Sequence, residues 1–163
     1  MLLHGNNNVI TRIITAYFPT VSASAGGAYS QQLEFLVIMK IQNDPRNQSW
    51  IDINTEISKG YIKEKKNILG DWNGEASYVN TLMGTHGLTN TICNLHGYSD
   101  YTIAYQQSKD WTIIGIYCSA SLTTNQGGLL SFGRLVGDHR ALRIKINENR
   151  LLGFWQHDII PPM

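Results

Sequence analysis

The chain has 163 residues, 42% hydrophobic and 15% charged, with 13 basic residues against 12 acidic ones and a net charge of +1. That balance excludes an intrinsically disordered chain and is enough for one modest domain with a core. It also excludes a globally basic surface, and charge alone neither supports nor opposes nucleic-acid binding.

Cys93 and Cys118 form no zinc or disulfide spacing and read as ordinary intracellular thiols. The N-terminus lacks a basic lead and a long apolar run. The most apolar stretch, residues 33–41, contains Glu34 and Lys40 and is too short to span a bilayer. The expectation is a soluble, intracellular protein with no membrane contact.

Residues 9–17 are rich in β-branched side chains and stop short of Pro19, which predicts a buried strand. A small, Gly-containing loop follows over 20–28. Tyr29, Leu33, Leu36, Val37 and Ile41 recur at helical spacing and predict an amphipathic helix. Asp44 followed by Pro45 reads as an N-cap with proline at the first helical position. Trp50, Ile53 and Ile57 share one face of that helix, and Gly60 can end it. After a basic turn at 63–66, Ile68 and Leu69 predict a short buried strand running into Gly70-Asp71-Trp72-Asn73. A short helix is expected over 75–83, ending at Gly84, while 87–95 is ambiguous. Residues 112–119 read as another strand. Leu142, Ile144 and Ile146 alternate with Arg143 and Lys145, a strand with one buried face. No repeat, low-complexity run or linker interrupts the pattern. The interleaving predicts a mixed α and β class, with a folded portion over 1–150 and a loosely held tail over 151–163.

Three short segments carry side chains suited to chemistry. Asp71 and Asn73 follow a buried strand, and two-residue spacing suits side chains on one side of an extended loop. An aspartate there can hold a metal or position a water, and an asparagine can donate to a phosphate oxygen. Taken alone, Gly, Asp and Asn are ordinary turn formers. Asp138 and His139 stand before the alternating strand, offering a metal ligand beside a group that titrates near neutral pH. Taken alone they are a solvated polar loop. Tyr17 closes the first strand, and by itself reads as a half-buried core residue.

In chain order, the segments 14–19 (Ile-Thr-Ala-Tyr-Phe-Pro), 68–73 (Ile-Leu-Gly-Asp-Trp-Asn) and 137–142 (Gly-Asp-His-Arg-Ala-Leu) resemble the endonuclease/exonuclease/phosphatase superfamily, of the apurinic-endonuclease and retroelement-endonuclease type. Gly87-Leu88, Thr102 and Gly115-Ile116 are secondary matches, and the resemblance runs from about residue 12 to 146. It implies an α+β fold that is part of a four-layer α/β/β/α sandwich, mainly the C-terminal sheet and its helices. It implies metal-dependent phosphodiester hydrolysis with magnesium or manganese, and a nucleic-acid partner, DNA foremost. Asp71 would orient or deprotonate the attacking water, and Asn73 would help hold the water and the phosphate. His139 would stabilise charge on the phosphoryl oxygens. Asp138 would contribute to the metal region, and Tyr17 would hydrogen-bond near the scissile phosphate.

Several features depart from the pattern. Domains of this type carry a preceding half that supplies another sheet and the glutamate that is the principal metal ligand, and no glutamate here precedes Tyr17. The expectation is a truncated domain, weakly active or inactive, that binds metal poorly. Ile114 stands where an aspartate usually orients the histidine. Asp110, four residues away, lies roughly 13 Å off at about 3.3 Å per residue. Gly137 stands for a common serine and Trp72 for a common phenylalanine. A missing half predicts an uncovered inner sheet face at Ile13, Ile116 and Leu142, and hence self-association. The alternatives are a non-catalytic remnant that binds nucleic acid or another subunit, and a phosphatase acting on a lipid headgroup or small phosphate ester. For the former, Arg12, Lys63, Lys65, Lys66, Arg134, Arg140 and Arg143 are the candidate phosphate contacts.

Overall fold

Two parallel strands need a long crossover between them, and this chain supplies one made of two helices. The structure is a computed structural model that describes residues 1–21, 26–60, 63–73, 76–97, 114–122, 124–130 and 141–153. Strand β1 (Leu2–His4) pairs antiparallel with β2 (Ile10–Tyr17) through a tight turn in which Asn7 and Asn8 take left-handed conformations, φ 55° and 58°. Asparagine is among the few residues that tolerate this region. Helices α1 (Ala28–Ile38) and α2 (Pro45–Ser58) then lead to β3 (Lys65–Asp71), which pairs parallel with β2.

The N-cap of α2 is the one the sequence predicts. The Asp44 carboxylate accepts from the backbone N–H groups of Arg46 and Asn47, and Pro45 occupies the first turn, where its missing N–H costs nothing. The segment 87–95 resolves into strand β4 (Leu88–Asn90) running directly into helix α4 (Thr91–His96), with the Asn90 side chain accepting from Cys93 N–H. Helix α3 (Ala76–Thr85) precedes it. Strand β5 (Ile114–Ser119) lies antiparallel between β3 and β4, so the main sheet has the order β1-β2-β3-β5-β4. Strands β6 (Gln126–Leu129) and β7 (Leu142–Lys145) form a second, two-stranded sheet, and α5 (Glu148–Leu152) follows it.

The main sheet buries its two faces differently. Phe18, Ile53, Ile57, Ile68, Trp72, Val79, Met83, Leu88 and Tyr117 form one core between the sheet and helices α2 and α3. Ile116, Cys118 and Leu122 form another on the opposite face, against Leu142, Ile144, Ile146 and Leu151. Strand alternation explains the split: Ile68 and Leu69 are neighbours in sequence and belong to opposite cores. The layering is helix, sheet, sheet, an α+β fold.

Three expectations change. The face expected to be uncovered is covered around Ile116, which is 6% exposed with Leu142 packed beside it under the second sheet, whereas Ile13 on β2 is only half-buried. The exposed apolar surface lies instead on α1, which buries only Leu36 and leaves Leu33, Phe35, Val37 and Ile38 in solvent. Apolar side chains stand on all sides of this helix rather than in the one stripe expected, and among its described residues only Leu36 is buried. Thirdly, the start of the segment expected as a loose tail is held: Leu151 joins the second core, its carbonyl accepts from Thr11 Oγ1 at 2.7 Å, and Gly153 is buried. Residues 154–163 lie outside the described residues.

Candidate functional site

Tyr17 and Asp71 are the last residues of β2 and β3, and they are direct register partners. They share a face of the sheet with Leu69, so both point to the side covered by β6 and β7. Ile114, at the start of β5, is the partner of Asp71 on its other side. Tyr17, Asp71 and Ile114 therefore form a row across three strands at the carboxyl ends of the parallel pair, where open sheets present ligand-binding groups. Tyr17 is 53% exposed, not the half-buried core residue that its isolated reading favours.

Close approach of β2 and β3 makes the row possible. A Cβ on Gly70 would lie 2.5 Å from the Ala16 carbonyl oxygen, so only glycine fits between the strands at this point. Past Asp71 the chain does not stay extended, as the two-residue spacing suggests. Asn73 is left-handed, φ 41°, and its N–H donates to Asp71 Oδ1 at 3.2 Å. The tetrapeptide is thus an Asx-type turn as well as a candidate site. Asn73 Nδ2 also donates to the Phe18 carbonyl at 2.8 Å, and Phe18 N–H donates to the Asp71 carbonyl at 2.9 Å. These two bonds tie the end of the first motif to the second.

Trp72 anchors the turn from the opposite face. It is 1% exposed and packs with Phe18 (ring centroids 5.4 Å), Trp50 (6.1 Å, stacked) and Tyr117 (5.8 Å, edge-on). An aromatic residue buried this fully contributes about 3 kcal/mol or more. Its Nε1–H has no hydrogen-bond partner among the described residues, and it lies close to Gly115, where a Cβ would come within 3.0 Å. Gly115 is thereby explained as a packing residue.

Among the described residues, no three His, Cys, Asp or Glu side chains come together as ligands for a metal ion. Asp71 and Asn73 alone, with one carboxylate between them, do not make up a magnesium site. Asp138 and His139, together with Asp110, lie outside the described residues.

The basic residues expected to contact phosphate divide sharply. Arg12 is committed to Glu64, a carboxylate with no exposed side-chain surface, and to Glu56 at 3.7 Å. Lys66 Nζ donates to the Ile57 carbonyl at 2.8 Å. Neither points a free charge at solvent. Lys65, by contrast, reaches the Arg150 carbonyl, and Arg143 stands exposed on β7. Arg134 and Arg140 lie outside the described residues. Lys145 and Arg150, exposed like Arg143, belong with it as further candidate phosphate contacts. The alternation that exposes Arg143 exposes Lys145 equally.

No protein-family model matches the chain, and no curated protein matches it. Among solved structures, an endonuclease/exonuclease/phosphatase family protein from Leptotrichia buccalis C-1013-b is distantly similar, with a TM-score of 0.48 and 16% identity over 66% of this chain. The chain spans 45% of the length of that protein. No helix among the described residues is long and apolar enough to cross a membrane.

Proposed function

We propose that the chain carries the C-terminal portion of an endonuclease-type domain that hydrolyses phosphodiesters. The observation that supports this reading most directly is the pairing of Tyr17 with Asp71, which brings two separate sequence motifs to one sheet edge. In this reading the Asp71 carboxylate orients the attacking water and accepts its proton. The Tyr17 hydroxyl donates to a non-bridging oxygen of the scissile phosphate. Asn73 spends one N–H on the Phe18 carbonyl and keeps the other, with its carbonyl oxygen, for the water or the phosphate. Asp138 and His139 supply the metal-side and charge-stabilising groups that the resemblance assigns them. Magnesium or manganese would require ligands beyond Asp71 and Asn73, so none of these steps passes through an ion.

Nicking of supercoiled plasmid in magnesium-containing buffer tests the proposal. Wild-type protein should convert the plasmid to the open circle, and Asp71→Asn should lose at least about a hundredfold of that rate, the usual scale for a positioned general base. Equal nicking by wild type and Asp71→Asn would overturn it.

A second reading, a non-catalytic nucleic-acid-binding remnant, is favoured by one specific feature. Ile114 sits directly beside Asp71, where the resemblance expects a carboxylate. An alkyl side chain there cannot orient a histidine. Salt-sensitive DNA binding without nicking is the outcome this reading expects.

A further inference from the structure

We propose that the outward face of the β6–β7 hairpin binds the phosphodiester backbone of a single nucleic-acid strand, using residues other than the Tyr17, Asp71 and Asn73 row. Strand β7 turns Leu142 and Ile144 into the core, so Arg143 and Lys145 project from the opposite face. The register sets Gly128 opposite Arg143 and Gln126 opposite Lys145. Gly128 contributes no side chain, and this leaves a hollow of about 320 Å³ bordered by Gln126, Gly128, Arg143 and Lys145. A second hollow of about 350 Å³ adjoins it, bordered by Asn125, Lys145, Asn147 and Arg150. Lys145 borders both, so the two hollows lie side by side, and together they are called the trough.

The trough is lined for an extended polyanion. Among the described residues that line it, none is an aspartate or glutamate. Over 141–153, Arg143, Lys145 and Arg150 face one acid, Glu148, and among the described residues none of the three cations is in an ion pair. Lys65 adds a fourth positive charge where it donates to the Arg150 carbonyl. The amides of Gln126, Asn125 and Asn147 can donate to phosphate oxygens between the cations. Arg143 and Lys145 are two residues apart on one strand, about 7 Å, an interval that successive phosphates of an extended strand can match. Among the described residues the trough is lined by cations and amides, groups that contact phosphate rather than bases. Contacts through phosphates alone make the binding independent of sequence. This surface stands whether or not the hydrolytic reading holds.

Fluorescence anisotropy with a labelled twelve-nucleotide oligothymidylate, the full chain and excess EDTA tests the surface without hydrolysis, so its failure is separable from a failure of nicking. Binding should weaken linearly in log salt with a slope of about −2, from about 0.7 per neutralised phosphate and three principal cations. Arg143→Gln with Lys145→Gln should weaken binding at least tenfold and flatten the slope. Gly128→Glu should do the same by placing a carboxylate in the hollow. Its Cβ would meet nothing nearer than His96 Nε2 at 3.7 Å, so the fold accommodates it. Lys59→Gln, on the helical layer across the sheet, should leave binding unchanged. Salt-dependent binding indifferent to all three substitutions on the hairpin would overturn the proposal. So would absence of binding, or preference for phosphatidylserine vesicles over the oligonucleotide.

Discussion

Tyr17 and Asp71 stand side by side at the carboxyl ends of two parallel strands, although two helices separate them in the chain. The turn after Asp71 locks this arrangement, because Asn73 reaches back to the Phe18 carbonyl.

That double role makes Asn73 sensitive to substitution in a graded way. Asn73→Ala loses the hydrogen bond and forces a Cβ-bearing residue without a polar side chain into the left-handed region. The expected cost is about 2 kcal/mol, roughly 1 from each cause. Asn73→Gly loses only the bond and should recover about 1 kcal/mol of that. Urea denaturation of the two variants measures the difference, and equal midpoints would remove the backbone part of the account.

Arg12 belongs to the stability of the fold and not to a phosphate site. Its guanidinium is the partner of Glu64, whose carboxylate is buried without exposed surface. Arg12→Gln leaves that carboxylate with an uncharged neighbour and should cost about 3 kcal/mol. The same variant should bind the oligonucleotide as wild type does. Thermal melting and anisotropy on one preparation check both halves.

His86 links the end of α3 to α2 by donating from Nε2 to Asn54 Oδ1 at 2.7 Å. Burial, and secondarily the charge of Lys66, hold its pKa below the ordinary histidine value of 6.5. The unfolded chain therefore takes up a proton at higher pH than the folded one does. The stability His86 contributes is complete above pH 6.5 and is lost as the pH falls through that value towards the lowered folded pKa. A melting series from pH 8 to pH 5 should show a small decline that His86→Gln removes. A decline identical in the variant would assign it to other groups.

Burial raises the thiol pKa of both Cys93 and Cys118, which makes each a poor nucleophile at neutral pH. Cys118 also donates to Asn67 Oδ1 at 3.5 Å. Iodoacetamide at pH 7.5 should modify neither in the folded protein within the time that labels both in 6 M guanidinium. Mass spectrometry of the native reaction reads this directly.

What the sequence reveals here is what local chemistry decides. Asp44 and Pro45 start a helix wherever they precede a helical run, and Ile68-Leu69 mark a buried strand without tertiary help, although that strand begins at Lys65, inside the expected basic turn, and runs through Gly70 to Asp71. Strand β6 was illegible because Gln126-Gly127-Gly128-Leu129 has neither alternation nor β-branched residues, and it exists only through pairing with β7. The exposure of α1 is not legible in its spacing, because periodicity says which side chains share a face, not whether another element covers it. The site was half legible. Motif order named Tyr17, Asp71 and Asn73, but nothing in the sequence gave their register, the Asn73 hook to Phe18 or Ile114 at Asp71's side.

The parallel pairing of β2 with β3 also sets a timetable. Tyr17 meets Asp71 only after the chain has closed a loop holding both α1 and α2, a step whose entropic cost falls before any reward from the contact. The hairpins β1–β2 and β6–β7 can form from near neighbours in the chain, or from one modest loop, much earlier. On a ribosome, the strand ending at Tyr17 waits with an open edge until Asp71 has emerged. The chain is most exposed to mispairing during that interval.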